Sequence, residues 1–150
     1  MIAIRRATLQ DLPQILRFRR AMLSDMGSTS EEALERMEIA AAAFLREGFL
    51  DSTCFVWIAE EQAPVGCGML HVVPWIPSSV DASARRVWVH NVYTEPGHRR
   101  RGIASEIMQT MLAWCRAEGF RSVSLHASEH GRRIYELLGF RPSNEMRLFW

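Results

Sequence analysis

Arg99, Gly102 and Ala104 stand at the spacing R-x-x-G-x-A, within the run His98-Arg99-Arg100-Arg101-Gly102-Ile103-Ala104-Ser105. A glycine lets a ligand approach the backbone without meeting a Cβ. Alanine adds little bulk, and three consecutive arginines add positive charge. Upstream, Val87–Tyr93 has the β-branched and aromatic content of a strand, and Glu95-Pro96-Gly97 breaks it. Downstream, Ile103, Ile107, Met108, Met111, Leu112 and Cys115 recur at helical spacing. The loop therefore joins a strand end to a helix start, where backbone N–H groups lack helical partners and the helix dipole is positive. That junction predicts phosphate binding; its bland alternative is a solvated arginine-rich turn. Other residues could move protons. His90 lies in the strand before the loop, and an imidazole with its ordinary pKa of about 6.5 suits a base at neutral pH. A core histidine is the alternative there. His126, Glu129 and His130 are further candidates.

The elements that position these groups follow in chain order. Ile2–Ala7 reads as a short strand. Thr8 and Asp11 have capping-box spacing, and Pro13 fits a first helical turn. Leu12, Ile15, Leu16, Met22, Leu23 and Met26 form a helical apolar face, and Gly27 ends it. Met22 and Met26 are expected in the core, with the lining of a binding pocket as their alternative. A helix restarts in Ser28-Thr29-Ser30-Glu31-Glu32, with Leu34, Met37, Ala41, Phe44 and Leu45 as its apolar face and Gly48 closing it. Glu31, Glu32 and Glu35 read as solvated charges; facing a cleft, they would favour a cationic ligand. Thr53–Ala59 and Val65–Trp75 read as strands, the second irregular at Gly66 and Gly68. Pro74–Ser83 is a loop. Arg85–Thr94 and Arg121–Ala127 are strands, and Ser128 is an N-cap for a short helix carrying Tyr135. Residues 140–150 are expected to add one or two closing strands.

The chain has 150 residues, suited to one domain over 1–150. Apolar residues are 48% and charged residues 23%, which reads as soluble and globular. A net charge of +1 gives no electrostatic support to nucleic-acid binding. Cys54, Cys67 and Cys115 have neither disulfide nor zinc spacing and read as buried thiols. The N-terminus lacks the apolar segment of a signal peptide, and no apolar run could span a bilayer, so a cytoplasmic protein is expected.

A second motif completes the picture. Tyr135-Glu136-Leu137-Leu138-Gly139-Phe140 has the form Y-x-x-x-G-F. The order strand, R-x-x-G-x-A, helix, strand, short helix, Y-x-x-x-G-F resembles the GNAT acetyltransferase family over about residues 85–142. The resemblance implies an α/β (α+β) fold, a mixed, mostly antiparallel twisted sheet flanked by helices. It implies acetyl-CoA as co-substrate and no metal. The site would comprise Arg99 and the backbone N–H groups of Arg100, Arg101, Gly102, Ile103, Ala104 and Ser105 on the pyrophosphate. The strand end Val92-Tyr93-Thr94 would lie along the pantetheine amides. Ser128, where many members have Asn, would cap the helix or bond the pantetheine, and a close pass of the coenzyme would rationalise Gly131. Tyr135 would lie near the thioester sulfur as general acid, with core packing and a carbonyl-bonded hydroxyl as its alternative.

Some members carry a glutamate base on the central strand or the next. Here Trp88-Val89-His90 and Val123-Ser124-Leu125 hold no carboxylate, which leaves His90 or water as base. The expected activity is acetyl transfer to a primary amine of a small molecule or peptide, by direct attack in a ternary complex. The first two helices and the Pro74–Ser83 loop are expected to shape the acceptor site. A homodimer follows by family analogy. The rival reading is a non-catalytic acyl-CoA-binding or regulatory module. Tyr135 argues against that rival and the missing glutamate for it.

Overall fold

The computed structural model describes residues 1–28 and 30–150. The apolar runs become five strands: β1 (Ala3–Arg6), β2 (Cys54–Glu60), β3 (Pro64–Pro74), β4 (Arg85–Thr94) and β5 (Val123–Leu125). They form one sheet in the order β1-β2-β3-β4-β5. The first four strands pair antiparallel and β4 pairs β5 in parallel. A parallel pair needs a crossover, and α3 (Ile103–Ala117) supplies it. Helices α1 (Leu12–Asp25) and α2 (Glu31–Leu50) precede β2, and α4 (Glu129–Leu137) follows β5. This is the expected mixed, mostly antiparallel sheet flanked by helices.

Because side chains alternate along a strand, the buried strands feed two apolar layers. In one, Ile103, Ile107, Met108 and Met111 of α3 meet Trp57, Leu70, Val72, Val87 and Val89. In the other, Ile15 and Phe18 of α1 and Leu45 of α2 meet Val56, Ile58, Cys67, Met69 and Tyr93. The Asp11 carboxylate accepts the Thr8 N–H at 2.8 Å, as the spacing predicts. Arg5 pairs with both Asp11 and Glu60 at 2.8 Å, which ties the start of α1 to β1 and β2.

Three expectations are corrected. Met26 is 63% exposed, because α1 ends at Asp25; Phe18 takes the core place instead. Gly48 does not close α2, which runs on to Leu50. That glycine is a packing requirement, since a Cβ there would sit 2.3 Å from Cys54 Sγ. β3 is irregular as foreseen: Gly66 faces Ala59 and Pro64 faces Glu60, so Val65 is an extra residue there, while a second irregularity beside Gly68 has its extra residue in β4. The closing strands at 140–150 are absent: residues 141–150 form no strand, and Met146, Leu148, Phe149 and Trp150 are exposed. β5 is only three residues long and offers little edge to pair with, and Pro142 has no N–H to donate. Ser30 caps α2, its hydroxyl accepting the Ala33 N–H at 3.3 Å. Thr29, within the expected helix restart, lies outside the described residues.

The bulge in β4 shapes the site. Cys67 faces Tyr93 and Met69 faces His90, so Gly68 stands opposite two residues, Asn91 and Val92. Asn91 takes the left-handed conformation, φ +56°, which Asn tolerates better than most residues. One extra residue reverses the facing of everything beyond it. Val87 and Val89 face α3, whereas Tyr93 faces α1. Gly68 serves a different need: its Cβ would lie 2.6 Å from Ile107 Cγ2, so glycine lets α3 close on the sheet. β4 meets β5 only at Val87–Val89. From His90 to Thr94, its edge on that side has no strand partner among the described residues.

Candidate active site

The loop after β4 turns through two left-handed residues, Arg100 at φ +60° and Gly102 at φ +81°. The first helical bond of α3 runs from Glu106 N–H to the Gly102 carbonyl at 3.0 Å. The amides of Arg100, Arg101, Gly102, Ile103, Ala104 and Ser105 take no backbone acceptor among the described residues. A Cβ at Gly102 would meet nothing within 4 Å, so the concavity is open. Successive free amides at a helix start form an anion nest. The arginine side chains hold this loop in place. Arg99 Nε–H donates to the Thr94 carbonyl at 2.9 Å, and its Nη2 pairs with Asp25. Arg101 pairs with Glu61 at 2.6 Å. The Arg99 N–H also bonds the Pro96 carbonyl, at 3.4 Å, so of these two residues only Arg101 has a free amide for a phosphate. The Arg100 side chain is exposed.

On α4, Ser128 Oγ accepts the Gly131 N–H at 3.2 Å, as an N-cap should. Helical side chains lean toward the N-terminus, and the Tyr135 ring accordingly lies over Gly131. A Cβ at Gly131 would sit 2.9 Å from Tyr135 Cε2. The tyrosine ring by itself accounts for this glycine inside a helix. Tyr135 is half-buried against the α3-side layer and meets Phe140 edge-on at 5.9 Å. Its hydroxyl makes no hydrogen bond among the described residues, so it is not spent on a carbonyl. Burial pushes its pKa above the ordinary phenol value, which keeps it protonated at neutral pH.

Between α2 and strands β3 and β4 lies a cavity of about 560 Å³, lined by Arg19, Met37, Phe44, Met69, His90 and Asn91 among others. His90 and His71 line it together, their rings 6.2 Å apart. Burial, then the neighbouring His71, Arg19 and His126, push the His90 imidazole down to about 4. It is neutral at pH 7, but far less basic than the ordinary value taken from the sequence. Asn91 is 5% exposed; its Nδ2 approaches Cys67 Sγ at 3.5 Å, and its Oδ1 has no partner among the described residues.

α1 and α2 both contribute to this cavity, while residues 74–83 do not line it. Nor do Met22 or Met26. Glu31 pairs with Arg20 and Glu32 with Arg36, and neither they nor Glu35 reach the lining. Tyr135 lines a separate cavity of about 520 Å³ with Trp88 and His126. His126 stacks on Trp88 at 4.9 Å, while Glu129 and His130 are exposed on α4. His90 and Tyr135 thus approach the β4–β5 region from different sides of the sheet. Arg19, His71 and Asn91 escaped the sequence reading. Asn91 alone left a signal, a polar residue in a buried strand. Arg19 and His71 reach the cavity only through the tertiary fold.

The model of the acetyltransferase (GNAT) family matches residues 17–140. The human protein N-acetyltransferase 8 is 26% identical over 96 residues, which cover 62% of this chain and 40% of that protein. The chain thus spans less than half the length of that relative. A GCN5-related N-acetyltransferase from Ralstonia eutropha JMP134 superposes with a TM-score of 0.92 at 29% identity, covering 100% of this chain and 99% of the other. A predicted acetyltransferase with acetyl-CoA from Clostridium acetobutylicum gives 0.90 at 22% identity, covering 99% and 96%. With the fold, the open amide nest and the match over residues 17–140 together, the chain belongs to the GNAT acetyltransferase family.

Proposed function

We propose that this protein moves an acetyl group from acetyl-CoA to a primary amine by direct attack in a ternary complex. The observation that carries this is the open run of unpartnered amides, Arg100 to Ser105, at the end of the unpaired β4 edge. These donors and the positive end of α3 fit a pyrophosphate. The free edge at Val92, Tyr93 and Thr94 fits the amides of a pantetheine arm, and the Ser128 hydroxyl lies at the head of α4. Bound acetyl-CoA would supply an acetyl group activated as a thioester.

The chain's own residues do the rest. His90, neutral and lining the amine-side cavity, accepts an N–H hydrogen bond from the acceptor and takes the proton that becomes acidic as the N–C bond forms. An imidazole held near 4 cannot deprotonate an alkylammonium of pKa about 10. The acceptor therefore loses its first proton to water before attack. As the C–S bond breaks, Tyr135 donates its phenolic proton to the departing sulfur and later regains one from solvent. The names of the relatives in humans and Ralstonia support an amine as acceptor. The reading carries with it a cytoplasmic setting, where Cys54, Cys67 and Cys115 stay reduced, and a homodimer by family analogy.

Gly102→Trp tests the nest, because the indole would fill the anion position. Calorimetric titration of the folded variant should show acetyl-CoA affinity lost; unchanged affinity would remove the assignment. A second reading, a non-catalytic acyl-CoA-binding module, is favoured by one observation: among the described residues no carboxylate lines the His90 cavity. Amine-dependent turnover separates the two.

A further inference from the structure

The His90 cavity holds an uncompensated cation. Arg17 pairs with Glu95, and Arg20 pairs with Glu31 and Glu38. Arg19, between them on α1, has neither hydrogen bond nor ion pair among the described residues and lines the cavity. Among the described residues no carboxylate shares that lining. Burial pulls the Arg19 pKa below its usual value, with no opposing charge acting on it. A half-buried guanidinium without a counter-ion is costly, and a ligand that brings the missing charge recovers that cost. With His90 held near 4 and His71 also pushed down by burial, the cavity carries a single positive charge at pH 7. One monoanion balances it; a phosphate dianion would leave an excess.

Two further features narrow the ligand. Asn91 Oδ1, in a residue 95% buried by its 5% exposure, is an acceptor without a donor and belongs to the same lining. An amine N–H is the donor it lacks. Met37, Ala40, Ala41, Phe44 and Met69 make most of the remaining wall apolar. The volume, about 560 Å³, falls within the ~300–1,000 Å³ of small-molecule sites. We infer that the acceptor is an amino carboxylate with an apolar side chain, its carboxylate on Arg19, its amine toward Asn91 and His90, and its side chain against α2. This deepens the acetyl-transfer reading and rests on it. A polyamine fits poorly, because its added positive charges would meet Arg19 with no carboxylate to answer them.

The test uses three matched amines with acetyl-CoA and the full chain: phenylalanine, phenylalaninamide and phenethylamine. They share the ring and differ in the carboxylate. Thiol release should give kcat/KM at least tenfold higher for phenylalanine than for either of the others. Arg19→Met keeps the apolar stem and removes the charge; it should cut the preference for phenylalanine over phenethylamine at least tenfold. Equal rates across the three amines, or a preference unchanged in Arg19→Met, would overturn the inference. Binding of 3-phenylpropionate, followed by calorimetry, needs no turnover. It should be saturable in the wild type and weakened at least tenfold in Arg19→Met. If no amine releases thiol yet 3-phenylpropionate binds through Arg19, acetyl transfer to these amines fails while the carboxylate site stands. If 3-phenylpropionate binds equally well to both proteins, or to neither, the carboxylate site fails.

Discussion

Tyr135→Phe separates catalysis from packing with one atom. The Tyr135 hydroxyl has no hydrogen-bond partner among the described residues, and the ring makes the contacts that matter to the fold, over Gly131 and edge-on to Phe140. Phenylalanine keeps both. Its cost in stability should fall below the ~1 kcal/mol of a net hydrogen bond. For a chain of 150 residues that is a melting shift of under about 4 °C. If the hydroxyl protonates the departing sulfur, kcat should drop by roughly 10²-fold or more. That is about 2.7 kcal/mol of barrier, well above the stability effect. Affinity for acetyl-CoA should change little, because proton transfer is an interaction of the transition state alone. Thermal unfolding, calorimetric titration and thiol release on one purified variant give all three quantities. A stable Tyr135→Phe protein with kcat within about threefold of wild type would refute the acid assignment.

His90 makes a prediction in pH. With its imidazole pushed down to about 4, its protonation should place an acidic limb of the rate profile near pH 4, not near 6.5. His90→Ala should lower kcat and remove that limb; an unaltered profile would pass the role to water or another group. Asp11 makes one in stability. The Arg5 guanidinium holds its carboxyl at about 2 against an ordinary 3.8. A depressed carboxylate stabilises the fold above the ordinary value and ceases to as pH falls through about 2. Asp11→Asn should cost about 1 kcal/mol at pH 7, discounted because Arg5 is 39% exposed. The gap between the two proteins in urea unfolding should close between about pH 4 and 2; a gap constant over that range would deny the link.

The sequence announced those parts whose physics is local. Arg85–Thr94 is the strand the composition implied, to the residue. Ser128 caps α4, and α3 begins directly after Gly102, where the apolar pattern turns helical. Each depends on nearest neighbours and one backbone preference. What depended on distant partners was out of reach. Gly48 reads as a helix stop until Cys54 of another element lies against it. Gly66 and Gly68 mark the irregular stretch of β3, but only the fold shows what each answers to: the Tyr93 carbonyl lies against Gly66, α3 lies against Gly68, and the extra residue beside Gly68 sits in β4. The apolar C-terminal residues resemble strands, yet β5 is too short to hold them. His90 looked like a base from its ordinary pKa, and only burial beside His71 and Arg19 shows how weak a base it is. The His90 cavity draws Arg19 from α1, His71 from β3 and Asn91 from β4, a set no spacing could have assembled.

Acetyl transfer by direct attack is tested most directly by initial rates of thiol release, with acetyl-CoA and an amino carboxylate such as phenylalanine varied together. Thiol should appear only with the amine present, one equivalent for each N-acetylated product, and the double-reciprocal lines should intersect. Intersecting lines mark a ternary complex, and no cysteine is suited to carry the acetyl group instead. Cys54, Cys67 and Cys115 are buried, their thiols pushed up to about 11, 12 and 11. Parallel lines with an acetylated enzyme would contradict direct attack. Saturable acetyl-CoA binding with no amine-dependent thiol across a broad panel of amines would contradict catalysis itself.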